Sequence, residues 1–202
     1  MGNPDTSLDR TWLQETLITV LDHIAPVCAQ IEYRLVGTGA ALLHGVELAA
    51  ADVDFLVKER QAVDAMSAAL SPFRCLFTPA WLPETRQYYG SYEVNGVEVE
   101  ISTVEVESEV DTVETFGRGP WEHFVVIPCG PHPVPTVALE LRLITELFRD
   151  RPDRYQPIIR YMQVNGCDVD LIRRGMDNTG LAQDLQEDVL KQLEVTSSPW
   201  EG

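Results

Sequence analysis

Residues 86–102, "RQYYGSYEVNGVEVEIS", restrict the fold of this chain more than any other stretch. Two runs that alternate apolar with polar residues meet at Asn95-Gly96, a pair that accepts the positive φ angles of a type I′ turn. The pattern predicts antiparallel strands over roughly 86–94 and 97–102 of one sheet. Along the second arm Glu98 and Glu100 share one face, while Val97, Val99 and Ile101 share the other.

Upstream, "YRLVG" reads as a short strand, "AALLHG" as a short helix closed by Gly45, and "VDFLV" as another strand. That last strand carries Asp52 and Asp54 among apolar residues. Side chains at i and i+2 of a strand lie on one face, about 7 Å apart, so both carboxylates look at one spot while Val53 points away. With no basic partner nearby in sequence they repel, and a cation is the simplest group that satisfies both. Hard oxygen ligands of this kind suit Mg²⁺, which takes one or two carboxylates together with substrate phosphates. The plainer alternative is a solvated pair at a strand end or sheet edge.

Just before this strand, Gly37-Thr38-Gly39 opens a helix, where unpaired N–H groups and the dipole favour an anion. No G-x-x-x-x-G-K-[ST] loop occurs, and Ala40, Ala41 and Leu42 after Gly39 break the dinucleotide pattern. Alone, Gly-Thr-Gly is more often a tight turn than a phosphate site. Glu98 or Glu100 would complete a three-carboxylate cluster with Asp52 and Asp54 if the two strands are neighbours. For Glu98 a polar outer face is the better reading.

The rest of the chain is largely helical. Leu8, Trp12, Leu13, Leu17, Val20, Leu21, Ile24 and Val27 repeat at helical spacing over residues 8–30, with Ser7 as the expected N-cap. Residues 59–70 form a second helix that stops at Ser71-Pro72. "HFVVIP" reads as a short strand, and "PCGPHPVP" after it as a linker. From Thr136 onward the pattern is helical to the end. The expected organisation is α+β, with a core over residues 1–130 and a C-terminal helical lobe over 131–202.

Thirty-two acids against 15 bases give a net charge of −17, which opposes a broad grip on a phosphate backbone, so nucleic acid is disfavoured as a partner. Most of this charge reads as a solvated surface; an acidic cleft for a cationic substrate is the alternative. No apolar run reaches the ~20 residues that cross a bilayer, and "MGNPDTSLDR" lacks the features of an export signal, so a cytoplasmic protein with no membrane role is expected. Cys28, Cys75, Cys129 and Cys167 are widely scattered and read as buried small apolar residues. His44 ends the short helix, where a positive charge complements the dipole; His23, His123 and His132 have no patterned partner. Trp81, Tyr88, Tyr89 and Tyr92 read as strand packing before base stacking. Glu140, Arg142, Arg149 and Arg151 would either line a cleft or form ordinary surface pairs.

In order, these motifs resemble the signature of the polymerase-beta-like nucleotidyltransferase superfamily. Val36-Gly37-Thr38 stands for its hydrophobic-Gly-[Gly/Ser] step, and Asp52-Val53-Asp54-Phe55 for its acid-hydrophobic-acid-hydrophobic step. Glu100 in "VEVEIS" stands for its third acid, and "VPTVALELRLITELFRDRPDRYQPIIRYM" is similar to the helical segment that follows the core in small bacterial members. The resemblance spans roughly residues 33–162. Thr38 replaces the usual Gly or Ser, Glu100 stands where Asp is frequent, and Asp153-Arg154 where Lys-Asp is frequent.

What the resemblance implies is a mixed sheet flanked by helices and a Mg²⁺-dependent transfer of a nucleoside monophosphate from an NTP, with ATP the expected donor. Asp52, Asp54 and Glu100 would be the catalytic, metal-holding residues for two Mg²⁺ ions, and Gly37 and Thr38 would cradle phosphates. The acceptor would be a hydroxyl of a small molecule, which an acidic cleft would suit if cationic, or of a protein. A toxin–antitoxin component is the rival role. From a different class, a non-catalytic relative would bind nucleotide or a partner in the same cleft. The oligomeric state is not legible in the sequence.

Overall fold

A computed structural model of the chain describes residues 8–28 and 31–194. In chain order the elements are α1 (Arg10–Cys28), β1 (Tyr33–Val36), α2 (Gly37–His44), β2 (Asp52–Val57), α3 (Arg60–Ala69), β3 (Arg74–Leu82), β4 (Gln87–Val94) and β5 (Val97–Ser102). There follow α4 (Gly119–Glu122), β6 (Phe124–Cys129), β7 (His132–Val137), α5 (Leu139–Phe148), α6 (Pro152–Asn165), α7 (Val169–Thr179) and α8 (Gln183–Glu194).

The strands form one mixed seven-stranded sheet in the order β3-β4-β5-β2-β1-β7-β6. The β4–β5 hairpin turns at Asn95 and Gly96, with φ of 53° and 78° as a type I′ turn requires. β2 runs antiparallel to β1 and parallel to β5, which places the two acidic strands side by side. Val53, Phe55, Val99 and Ile101 are fully buried in the main core, together with Leu13, Leu17 and Ile24 of α1 and Val63 and Met66 of α3. Each such side chain contributes about 1.5–3 kcal/mol on burial. This packing pins the register of β2 and β5, and so the acids stay in their places although they repel.

A second buried cluster lies among α5 to α8, where Leu143, Leu147, Ile158, Ile159, Ile172 and Met176 pack with Ala41 of α2. Helices α5 to α8 therefore pack onto the short helix that follows β1.

Several expectations are corrected. The Pro-rich segment is not a linker: Gly130, at φ 57°, lies in the turn of a β6–β7 hairpin, and β7 also pairs with β1 through Leu35 and Thr136. Pro133 and Pro135 sit at alternate positions, so their missing donors lie on one side of the strand and the residues between them can hold a ladder on the other. Helix consequently starts at Leu139, not Thr136. Ser7 lies outside the described residues, and the first turn of α1 is capped by Asp9, whose Oδ1 accepts from Trp12 N at 2.8 Å. β3 was not expected at all. Of the cysteines, Cys129 is buried, Cys167 half-buried and Cys75 exposed on β3, all three as free thiols, while the side chain of Cys28 lies outside the described set. Among the described residues no helix is long and apolar enough to cross a membrane.

Candidate active site

The parallel register pairs Asp52 with Glu98 and Asp54 with Glu100. Because α1 and α3 cover the face that carries Val53 and Val99, the acids are left on the opposite, open face. Ligand atoms of Asp52, Asp54 and Glu100 all lie within 4.8 Å of one another, and all three residues are half-buried. Glu98 is outside this group but close enough that its charge raises the pKa of Asp52.

The electrostatics of the three acids are those of crowded, partly buried carboxylates. Burial, then the charges of Asp52 and Glu100, push the Asp54 carboxyl well above the usual carboxylate range. Burial also raises Glu100, although hydrogen bonds from Tyr89 and Asp54 oppose it. Of the three acids Asp54 is the one pushed furthest toward its protonated form. Tyr89 Oη donates to Glu100 Oε1 at 3.0 Å and fixes the longer glutamate arm. Three hard oxygen donors that converge within 4.8 Å of one another are a donor set suited to Mg²⁺, and the residues present fit that ion.

Gly37 touches the same site. It follows Val36, the β1 partner of Asp54, at φ +74°, and a Cβ there would lie 1.9 Å from Asp54 Oδ2. Only glycine allows this approach. Its N–H donates to Glu114 Oε1 at 2.7 Å, and Thr38 Oγ1 accepts from Arg154 Nη1 at 2.9 Å and Arg142 Nη2 at 3.3 Å.

The cavity that these acids line also gathers basic residues. About 570 Å³ in volume, it is lined by Asp52, Asp54 and Glu100 of β2 and β5 and by Arg142, Arg149, Arg151 and Arg154 of α5, α6 and the turn between them. In a chain with 15 bases and a net charge of −17, four arginines around one cleft are a concentration that surface solvation does not explain. Arg142 is buried and paired to Glu114 Oε2 at 2.8 Å and to Glu146. Arg151 and Arg154 share Asp153 at 3.7 and 3.5 Å, and Arg149 has no acidic partner among the described residues. The turn between α5 and α6 that gathers them holds Asp150 at φ 50°.

The other expectations sort themselves by contact. Glu140 does not line the cleft; its Oε1 accepts from Asp168 N. His44 is engaged away from the helix end, its Nε2 bonding Val137 O at 2.9 Å, and burial lowers its pKa. Trp81 and Tyr88 carry the Arg60 guanidinium at 4.5 and 5.7 Å from their ring centres, and Tyr92 is buried. A second acidic group, Asp111, Glu122 and His123, is already paired internally and to Arg174. Sequence reasoning missed Arg154 and Glu114 as site residues. Arg154 had a signal in its position one turn into the helix after Arg149 and Arg151; Glu114 had none within its acidic stretch.

No protein-family model matches the chain, and no curated protein matches it. Among solved structures, a candidate nucleotidyltransferase from Thermotoga maritima superposes with a TM-score of 0.55 at 14% identity, covering 80% of this chain and 99% of that one. The chain has the nucleotidyltransferase fold. A nucleotidyltransferase-like protein from Paracoccidioides brasiliensis (TM-score 0.49, 11% identity, 93% and 95% covered) and a candidate nucleotidyltransferase from Helicobacter pylori (0.47, 13%, 90% and 92%) are more distant. The nucleotidyltransferase fold is what the Val36-Gly37-Thr38 and Asp52-Val53-Asp54-Phe55 steps led one to expect, and the mixed sheet with flanking helices bears it out.

Proposed function

We propose that this chain is a Mg²⁺-dependent nucleotidyltransferase that moves a nucleoside monophosphate from an NTP, ATP in the first instance, to a hydroxyl of a small molecule or a protein and releases pyrophosphate. The observation that carries the reading is that Asp52, Asp54 and Glu100 share one cavity with Arg142, Arg149, Arg151 and Arg154. Asp52, Asp54 and Glu100 would hold Mg²⁺, which when bound offsets phosphate charge and activates the attacking oxygen of an in-line displacement.

The remaining chemistry belongs to the chain. Arg149, Arg151 and Arg154 bind the triphosphate and stabilise the charge that builds on the leaving pyrophosphate as the bond from the α-phosphorus to the bridging oxygen breaks. Thr38, held by Arg154 at 2.9 Å, orients that end of the donor. As the acceptor oxygen bonds to the α-phosphorus its proton passes to Glu100, whose Oε1 is already steadied by Tyr89.

A second reading, a nucleotide-binding relative without catalysis, is favoured by one observation: the Gly37 N–H is engaged by Glu114. The two are separated by following pyrophosphate release with Mg²⁺ and each NTP against aminoglycosides, lincosamides and cell extract. Acceptor-dependent release supports transfer, and binding of an NTP with no release under any condition supports the second reading.

A further inference from the structure

Glu114 is fully withdrawn from solvent, 0% exposed, on the acidic segment of residues 103–118 that joins β5 to α4. Its charge adds to those that raise Asp54. A fourth acid beside three others is costly unless it is paired, and two donors pair it: Gly37 N–H on Oε1 at 2.7 Å and Arg142 Nη1 on Oε2 at 2.8 Å. A backbone amide at the first residue of a helix and a guanidinium are together what a phosphate takes. Arg142, 5% exposed, leaves its Nε without a hydrogen-bond partner among the described residues, so this buried cation is not saturated by its carboxylates. The segment also forms part of the cleft wall through Val104, Val106, Thr115 and Phe116.

We propose that Glu114 is a tethered anion seated where a terminal phosphate of the donor binds, and that the triphosphate takes its place. This deepens the nucleotide reading and rests on it. The phosphate oxygens take over the Gly37 N–H and Arg142, and Glu114 withdraws with its segment; no covalent bond changes. Affinity for the donor is then lowered by the fraction of molecules in which Glu114 holds the site. Val104, Val106, Thr115 and Phe116 move with it, so the cleft opens as the donor enters.

The test is calorimetric titration of wild type and Glu114→Gln with Mg²⁺-ATP and with Mg²⁺ and inorganic triphosphate, each variant first shown folded by circular dichroism. The amide keeps the shape and an acceptor for Gly37 but removes the competing charge, and roughly tenfold tighter binding of both ligands is expected. Equal or weaker binding by the variant overturns the exchange and leaves the nucleotide reading standing. No binding of either ligand to either protein overturns both. Should Glu114→Gln not fold, hydrogen exchange of residues 110–117 in wild type decides: triphosphate raises exchange if Glu114 is expelled, and unchanged or slower exchange contradicts it.

Discussion

Gly37 and Asp54 approach so closely across the β1–β2 ladder that a Cβ on Gly37 would lie 1.9 Å from Asp54 Oδ2. Gly37→Ala therefore meets two obstacles, a left-handed φ of +74° and a carboxylate held in place by buried Val53 and Phe55. A loss of about 2 kcal/mol or more is expected by denaturant unfolding, and whatever folds should bind Mg²⁺ poorly because Asp54 must turn aside.

Asp54→Asn removes one of three crowded carboxylates. An acid whose pKa is raised by folding binds more protons when folded than when unfolded, so its contribution to stability falls as pH rises. In chelator the variant should be more stable than wild type at pH 7, and the gap should narrow toward pH 5, because folded wild type takes up a proton on Asp54 that the unfolded chain still largely lacks. Thermal melts of the pair at both pH values measure this; a gap that widens on acidification contradicts the crowded-acid account.

Arg142 and Arg154 both reach Thr38 but should fail differently. Arg142→Ala leaves buried Glu114 with only the Gly37 N–H and buried Glu146 with only Arg151 at 3.9 Å, and a loss of about 3–5 kcal/mol is expected by chemical unfolding. Arg154→Ala, half-buried and with its acidic partner Asp153 exposed, should fold normally and instead weaken Mg²⁺-NTP binding about 10–100-fold, the worth of one charge-assisted hydrogen bond.

Most of the fold and the acidic half of the site are legible in local sequence, because period-2 alternation and an Asn-Gly turn report strands and side-chain face directly. Asp52, Asp54 and Glu100 could be placed on faces that way; that β5 lies beside β2 is a fact of topology and had to be seen. β7 is hidden by Pro133 and Pro135, which read as punctuation wherever the side of the strand they occupy is unknown. β3 is an exposed edge whose register slips between Phe77 and Ala80, so it shows no regular alternation. The arginine cluster depends on the α5–α6 turn, and Glu114 on a long-range contact from an irregular segment, neither of which leaves a periodic trace.

The central claim is that the three carboxylates and the arginines form one site for a metal-bound nucleotide. Its most direct test is calorimetric titration of wild type and Asp54→Asn with ATP, with and without Mg²⁺. The account predicts Mg²⁺-dependent binding in wild type that is lost, or weakened at least about tenfold, in the variant. Binding of equal strength in both proteins, or binding indifferent to Mg²⁺, would contradict it.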